Sequence, residues 1–198
     1  MSSKLKKYAR KRNFHKTPEP AGARGRETKA RFVIQKHDAS HLHYDFRLAI
    51  EGVLVSWAVP KGLSTDPRDK RLAIQTEDHP LDYIDFEGVI PAGQYGAGTV
   101  LVWDTGRYRN LRADKAGAGK SMSASLREGL VEVWLEGSKL KGGYALKRIR
   151  PGKKPQWLVI KMRDEKADAR RNPVSTQPES VLSGRSLKEI AAAAGSKR

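Results

Sequence analysis

The sequence predicts a mainly β protein, a compact closed β-barrel of about eight mostly antiparallel strands with short flanking helices. Three observations predict it. Between Ala30 and about Arg163 the chain carries eight short β-type runs: RFVIQK, HLHYDFRL, GVLVSWAV, RLAIQT, TVLVWD, GLVEVWLEG, GYALKRI and QWLVIKM. Gly, Pro and Asp cluster between them, as in DPRD, IPAGQYGAG and RPGKKPQ, where reversals of the chain need turn residues. No long amphipathic helix intervenes, which leaves an antiparallel barrel or sandwich, and closure into a barrel removes exposed strand edges.

The flanks read differently. Residues 1–29 hold ten Lys or Arg against two Glu. MSSKLKKYARKRNF can form a short basic helix, whereas KTPEPAGARGRETK, with two Pro and two Gly, should not. This arm reads either as a solvated tail or as a segment that folds onto a polyanion and over a site. Residues 30–163 form the barrel, within which LRADKAGAGKSMSASLREG is a short helix or a loop insertion. Residues 164–198 are polar and linker-like. Ser186 and Glu189 there have capping-box spacing at the start of a short helix, which suggests a domain normally joined to something else.

Composition bounds the function. The 198 residues suffice for one domain with a core, and the formal charge of +17 points to a polyanionic partner. Nucleic acid, anionic lipid and acidic protein all satisfy that charge. The absence of cysteine excludes disulfides, thiolate metal sites and a cysteine nucleophile. No run of 18 apolar residues is present, so a cytoplasmic protein with no membrane span is expected.

The chemistry concentrates in HDASHLHYDFRL. Leu42, Tyr44, Phe46 and Leu48 alternate without a break with His41, His43, Asp45 and Arg47. On a strand, one set faces the core and the other lines up imidazole, carboxylate and guanidinium on the opposite face. A His-x-Asp pair suits a divalent metal with mixed N/O ligands such as Mn, Fe or Zn, and His37, across Asp38-Ala39-Ser40, can fold back as a third ligand. Arg47 offers a fork to phosphate or carboxylate. Three other readings stay open at this point: a hydrated strand face with incidental histidines, an Fe(II) oxygenase, and a non-catalytic binding module.

Downstream, Lys61, Arg71, His79 and Tyr83 are further candidates. His79 precedes Pro80 and is therefore held extended, placed to hold a phosphate oxygen or protonate a leaving group. Glu77, Asp78, Asp82, Asp85 and Glu87 read as local ion-pair partners, with a second metal as the other possibility. Two lookalikes are discounted. GAGKS at 117–121 has Asp114 where the first Gly of a phosphate loop belongs, and GQYGAG at 93–98 leads into a strand, as a tight turn does.

HDASHLHYDFRL, SWAVPKG, DHPLDYIDFEGVIPAGQYGAGTVLVWDTGRY and QWLVIKM together resemble the 3′-phosphoesterase domain of bacterial ligase D, the end-joining DNA ligase. The resemblance implies a β-barrel with a Mn²⁺-dependent site, with other divalent transition metals as possible replacements for Mn²⁺. The implied activity removes a 3′-terminal ribonucleoside and then a 3′-phosphate from a primer strand in duplex DNA, leaving a 3′-hydroxyl. It implies His37, His43 and Asp45 as metal ligands, and Arg47 and His79 on the scissile phosphate. Lys61, Arg71 and Tyr83 would support them, and Arg12 and Glu19 would serve the ribonucleoside step. His41 is not counted as a ligand, and Asn13 stands where some members carry Asp. The implied partners are duplex DNA ends, the ligase and polymerase domains of ligase D, and Ku, in a bacterial or archaeal cytoplasm associated with the nucleoid. No K-x-D-G adenylation motif is present, so sealing is expected from another domain or protein.

Overall fold

The computed structural model describes residues 3–22, 30–113 and 119–195. Among them are nine strands: β1 Arg31–Asp38, β2 Leu42–Ile50, β3 Val53–Val59, β4 Lys70–Gln75, β5 Gly88–Ile90, β6 Gly98–Asn110, β7 Leu130–Gly137, β8 Lys141–Arg150 and β9 Gln156–Lys161. Eight close a ring in the order β1-β2-β3-β4-β9-β8-β7-β6, with β6 returning to β1, and every pairing is antiparallel. The expected closed barrel is therefore present. The ninth strand, β5, lies outside the ring and pairs with the start of β6, Val89 opposite Thr99.

β6 closes the barrel because its 13 residues serve different neighbours along its length. Its first part pairs with β1, and Gly106–Asn110 pairs with β7. A bulge puts Ile34 opposite Asp104 but Gln35 opposite Val102, so Trp103 is the extra residue and the strand bends there. Asp104 is fully buried and accepts the backbone N–H groups of Thr105, Ser138, Lys139 and Leu140, which fixes the β7–β8 turn. Gly106 permits the close approach of β7, since a Cβ there would lie 2.1 Å from the Glu136 carbonyl oxygen.

The alternation in β2 is realised. Tyr44, Phe46 and Leu48 enter the barrel interior beside Phe32, Ile34, Trp57, Trp103, Val133, Leu146 and Trp157. Trp57 and Trp157 meet edge to face at 5.7 Å, and Tyr44 meets Trp103 at 5.3 Å. Each such side chain removed from water contributes roughly 1.5–3 kcal/mol. Leu42, expected on the core face, is instead 46% exposed, because it begins the strand beyond the edge of the packed interior.

The opposite face of β2 is roofed rather than hydrated. Val33, Ala49, Leu54, Val100 and Val102 on the outer wall form a second apolar cluster with Leu81, Tyr83, Ile84, Phe86, Ile90 and Tyr8. The roof comes from two segments. One is the chain between β4 and β6, including a 3₁₀ turn at Leu81–Asp85. The other is the N-terminal arm, in which a 3₁₀ turn at Ser3–Leu5 leads into α1, Lys6–Arg10, the short basic helix expected there. Leu5 and Tyr8 are buried, and the Tyr8 hydroxyl donates to the Pro20 carbonyl at 2.7 Å. Of KTPEPAGARGRETK, residues 16–22 are non-helical and 23–29 lie outside the described residues.

Residues 111–129 contain α2, Met122–Glu128, started by the Ser121 side chain on the Ala124 N–H and ended by Gly129 in the left-handed region. Of GAGKS, residues 117–118 lie outside the described residues, and GQYGAG is a turn that leads into β6. The C-terminal stretch lies against the barrel. Trp103 Nε1 and Lys139 Nζ both donate to the Gln177 carbonyl, after α3, Pro173–Thr176. α4, Leu187–Gly195, buries Ile190 and begins with the reciprocal Ser186–Glu189 cap. No helix of the described residues is long and apolar enough to cross a membrane.

Candidate metal centre

The β1–β2 hairpin sets the register of the chemistry. His37 lies directly opposite His43, Gln35 opposite Asp45, and Val33 opposite Arg47. Side chains of one parity on both strands therefore share the outer wall, and His37, His43 and Asp45 converge there, their ligand atoms all within 4.8 Å of one another. Asp45 Oδ2 is 3.5 Å from His37 Nδ1 and 3.7 Å from His43 Nε2. Two ligands about 2.1 Å from one ion lie about 3.0–3.4 Å apart at right-angled or tetrahedral geometry, so these gaps need to close by only a few tenths of an ångström.

Hydrogen bonds to carbonyls assign the tautomers, because a carbonyl can only accept. His37 Nε2 donates to Gly96 O at 3.0 Å, which leaves Nδ1 with its lone pair toward Asp45. His43 Nδ1 donates to His41 O at 2.9 Å, which leaves Nε2. Each imidazole is thus held from behind in the ligating tautomer, the arrangement that metal-binding histidines need. Burial raises the Asp45 carboxyl pKa, but the adjacent Arg47 guanidinium outweighs it and holds the group well below the usual carboxylate range. Three preset donors, two neutral nitrogens and one anionic oxygen, fit a divalent transition metal. Among the described residues no other group of three such side chains gathers in this way.

Arg47 is buried two residues along the same face and is anchored on every side. Nε donates to Gln35 Oε1 at 2.7 Å, Nη1 to Ser56 Oγ at 2.9 Å, and Nη2 to Asp45 Oδ2 at 3.0 Å. Gln35 in turn donates to the Tyr83 and Phe86 carbonyls, tying strand to roof. His79 is pinned by a two-bond bridge to Leu54 on β3. Its Nδ1 lies 2.9 Å from Glu77 O and 2.9 Å from Arg47 Nη1, and its Nε2 lies 3.3 Å from Arg12 Nη2. Burial first, then Arg47 and Arg12, push its pKa well below the ordinary value, so the imidazole is neutral. A proton on Nδ1, given to Glu77 O, leaves Nε2 to accept from Arg12.

The arm contributes the last wall. Arg12 is paired with buried Glu19 at 2.8 Å and with Glu77 at 3.2 Å, and its guanidinium lies 3.8 Å from the Tyr8 ring centroid. Tyr83 donates to the same Glu19 oxygen at 2.9 Å, and burial foremost raises its hydroxyl pKa well above the ordinary value. These groups surround a cavity of about 270 Å³ lined by Arg12, His37, His43, Asp45, Arg47, His79 and Tyr83.

Other sequence candidates stand apart. Glu19 lies behind Arg12 and Tyr83. Lys61 is exposed after β3, and Arg71 pairs with Asp69 at 2.7 Å on the parity of core-facing Ala73, so neither lines the cavity. The His41 side chain and Asn13 are exposed and also outside it. Of the acidic group, Glu77 pairs with Lys11 and Arg12, Asp85 with Arg31, and Glu87 accepts from Val102 N and Ser180 Oγ. Gln35 and Ser56, which hold Arg47, were missed. Their single-residue signal is nil, and only the cross-strand register exposes them.

Comparison with known proteins gives a consistent result. The family model of the DNA ligase D 3′-phosphoesterase domain matches residues 35–148. The multifunctional non-homologous end joining protein LigD of Pseudomonas aeruginosa is 48% identical over 192 residues, which cover 94% of this chain and 22% of that protein. The corresponding DNA repair protein of Mycobacterium tuberculosis is 42% identical over 168 residues, 84% of this chain and 21% of that one. The chain thus spans about a fifth of the length of these relatives.

Proposed function

Because this chain belongs to the DNA ligase D 3′-phosphoesterase family, we propose that it heals DNA 3′ ends for end joining, with Mn²⁺ as its metal. On this reading it removes a 3′-phosphate, and a 3′-terminal ribonucleoside before it, to leave a 3′-hydroxyl. The observation that carries the reading is the adjacency of the two histidines and Asp45 to Arg47 and neutral His79 in one walled cavity.

His37, His43 and Asp45 would hold the ion, which when bound supplies Lewis-acid polarisation of a phosphate oxygen and a more acidic water. Arg47 cannot lose its proton, and its charge neutralises the phosphate as the P–O bond to the sugar breaks. His79 starts neutral, so any proton it gives to the leaving O3′ must arrive with the substrate. A phosphomonoester bound as its monoanion brings that proton, and its negative charge beside Arg47 and Arg12 offsets the cations that disfavour an imidazolium, so Nε2 can take it up. Water then adds to phosphorus, O3′ departs with the imidazolium proton, and phosphate monoanion and neutral His79 result. Tyr83 and Arg12, joined through Glu19, form the wall that the ribonucleoside step would use, while Lys61 and Arg71, which line neither this cavity nor its neighbour, have no direct part in this reading.

The relatives' names place them in non-homologous end joining, and ligase and polymerase domains and Ku are the partners this reading gives the chain. The test is phosphate release from a duplex with a recessed 3′-phosphate, with and without Mn²⁺. Release only with the metal supports the proposal. Tight DNA binding without release at any Mn²⁺ concentration would instead make the chain a binding module.

A further inference from the structure

A second, larger concavity of about 650 Å³ adjoins the metal cavity and shares Thr76, Glu77 and Tyr95 with it as a common wall. Its two banks come from distant parts of the chain. Lys4, Lys7 and Lys11 line one bank, and Lys153 and Lys154, in the turn between β8 and β9, line the other. The carboxylates within it are Glu77, already paired with Lys11 and Arg12, and Asp78 beneath Lys4 and Lys7. Lys4 pairs with Glu51, but Lys7, Lys153 and Lys154 are exposed and have no ion-pair partner among the described residues. Lys7 on one bank faces Lys153 and Lys154 on the other, and these three ammonium groups repel unless an anion lies between them.

Resting on the functional reading above, we propose that this groove holds the phosphodiester backbone of the primer strand, the strand whose 3′ end reacts. The groove opens at the wall of the metal cavity, so a strand that ends in the cavity has a charged channel to leave by. The spacing also fits. Seven residues of helical rise from Lys4 to Lys11 cover about 10 Å. Each strand of a duplex presents one phosphate per about 3.4 Å of helix axis and a longer interval along its own inclined path, so the row matches about two to three phosphates upstream of the reacting end. Lysine contacts of this kind read no sequence and act through counterion release. Tyr95 is 46% exposed at the junction, with Lys11 Nζ 4.1 Å from its ring centroid, so the strand passes an aromatic face as it enters.

The test combines Lys7→Ala, Lys153→Ala and Lys154→Ala in the full chain and spares Lys4 and Lys11, which have folded partners. Binding of a 3′-phosphorylated primer–template is measured by fluorescence anisotropy over a salt series, and phosphate release is measured on the same duplex. Three lost contacts should lower the slope of log K against log [salt] by about 2.7 and raise the Kd at least about tenfold at 0.1 M salt. The kinetic effect should fall in KM rather than kcat. With the wild-type chain, neutral methylphosphonates at the three primer linkages next to the 3′ end should weaken binding comparably, and the same replacement in the template should not. An unchanged slope and Kd in the triple variant would overturn the groove, and sensitivity confined to the template would overturn the strand assignment. The functional reading fails separately, if the wild type releases no phosphate, because the groove is judged on Kd.

Discussion

Asp45→Asn removes one negative charge from the point on which the site converges. Asp45 Oδ2 lies 3.0 Å from Arg47 Nη2, 3.5 Å from His37 Nδ1 and 3.7 Å from His43 Nε2. Asn keeps the shape and an acceptor, and Arg47 keeps Gln35 and Ser56. Losing the charge-assisted component costs about 1.5–3 kcal/mol, less than the 5–15 kcal/mol typical of a folded domain, so the barrel still forms. Metal binding is affected far more. Mn²⁺ at about a hundred times its Kd stabilises the wild type by about 2.7 kcal/mol, a rise in Tm of roughly 5–11 °C for a chain of this size. Groups that merely orient ligands are worth about 10–100-fold in metal affinity, so a lost ligand should cost at least about 100-fold. The same Mn²⁺ concentration then equals the new Kd, and the gain falls to about 0.4 kcal/mol, or less than about 2 °C. Scanning calorimetry with and without Mn²⁺ measures both shifts. An Asp45→Asn protein that keeps the full Mn²⁺ shift would refute the ligand assignment.

Arg12→Ala leaves buried Glu19 without its cation and should destabilise the chain by about 3–5 kcal/mol, while ribonucleoside removal falls further than phosphate removal; equal loss of both, measured on the two substrates, would count against a special role for the arm. Burial raises the Asp78 carboxyl from 3.8 to about 6, so the folded chain holds a proton that the unfolded chain releases, and this stabilising effect is present below about pH 4 and lost as pH rises through 6. Asp78→Asn should therefore be more stable than wild type at pH 7.5, by on the order of 1–3 kcal/mol, and no different near pH 3.5, as urea unfolding without metal will show. Ser186→Ala removes the reciprocal cap of α4 and should cost about 0.5–2 kcal/mol locally; hydrogen exchange faster across Leu187–Gly195 than elsewhere is the expected signature, and uniform acceleration would contradict it.

The barrel was legible because its strands announce themselves by period-two alternation and turn residues, and β2 did so without ambiguity. β5 was not legible, since three residues, Gly-Val-Ile, carry too short a pattern to separate from the surrounding turns. α2 was visible only as an alternative, because the AGAG before it weakens the helical signal and the Ser121 cap and Gly129 stop decide it locally. At the site, alternation placed His43, Asp45 and Arg47 on one face, and the short turn before them brought His37 within reach. One feature lay beyond a linear reading, and another was only partly within it. The register that sets Gln35 and Ser56 against Arg47 is a property of paired strands. The roof that converts an outer barrel wall into a cavity was legible only as one of two readings of the arm, because the long-range docking of Tyr8, Arg12 and Glu19 is concealed by the polar, basic sequence around them.

The most direct measurement is crystallographic: crystals grown with Mn²⁺ and inorganic phosphate, recorded at a wavelength where manganese scatters anomalously. An anomalous peak bounded by His37 Nδ1, His43 Nε2 and Asp45 Oδ2, with phosphate within hydrogen-bond reach of Arg47 and His79, is the predicted result. A manganese peak elsewhere, beside Glu77 and Asp78 for example, with the triad empty at saturating Mn²⁺, would contradict the account.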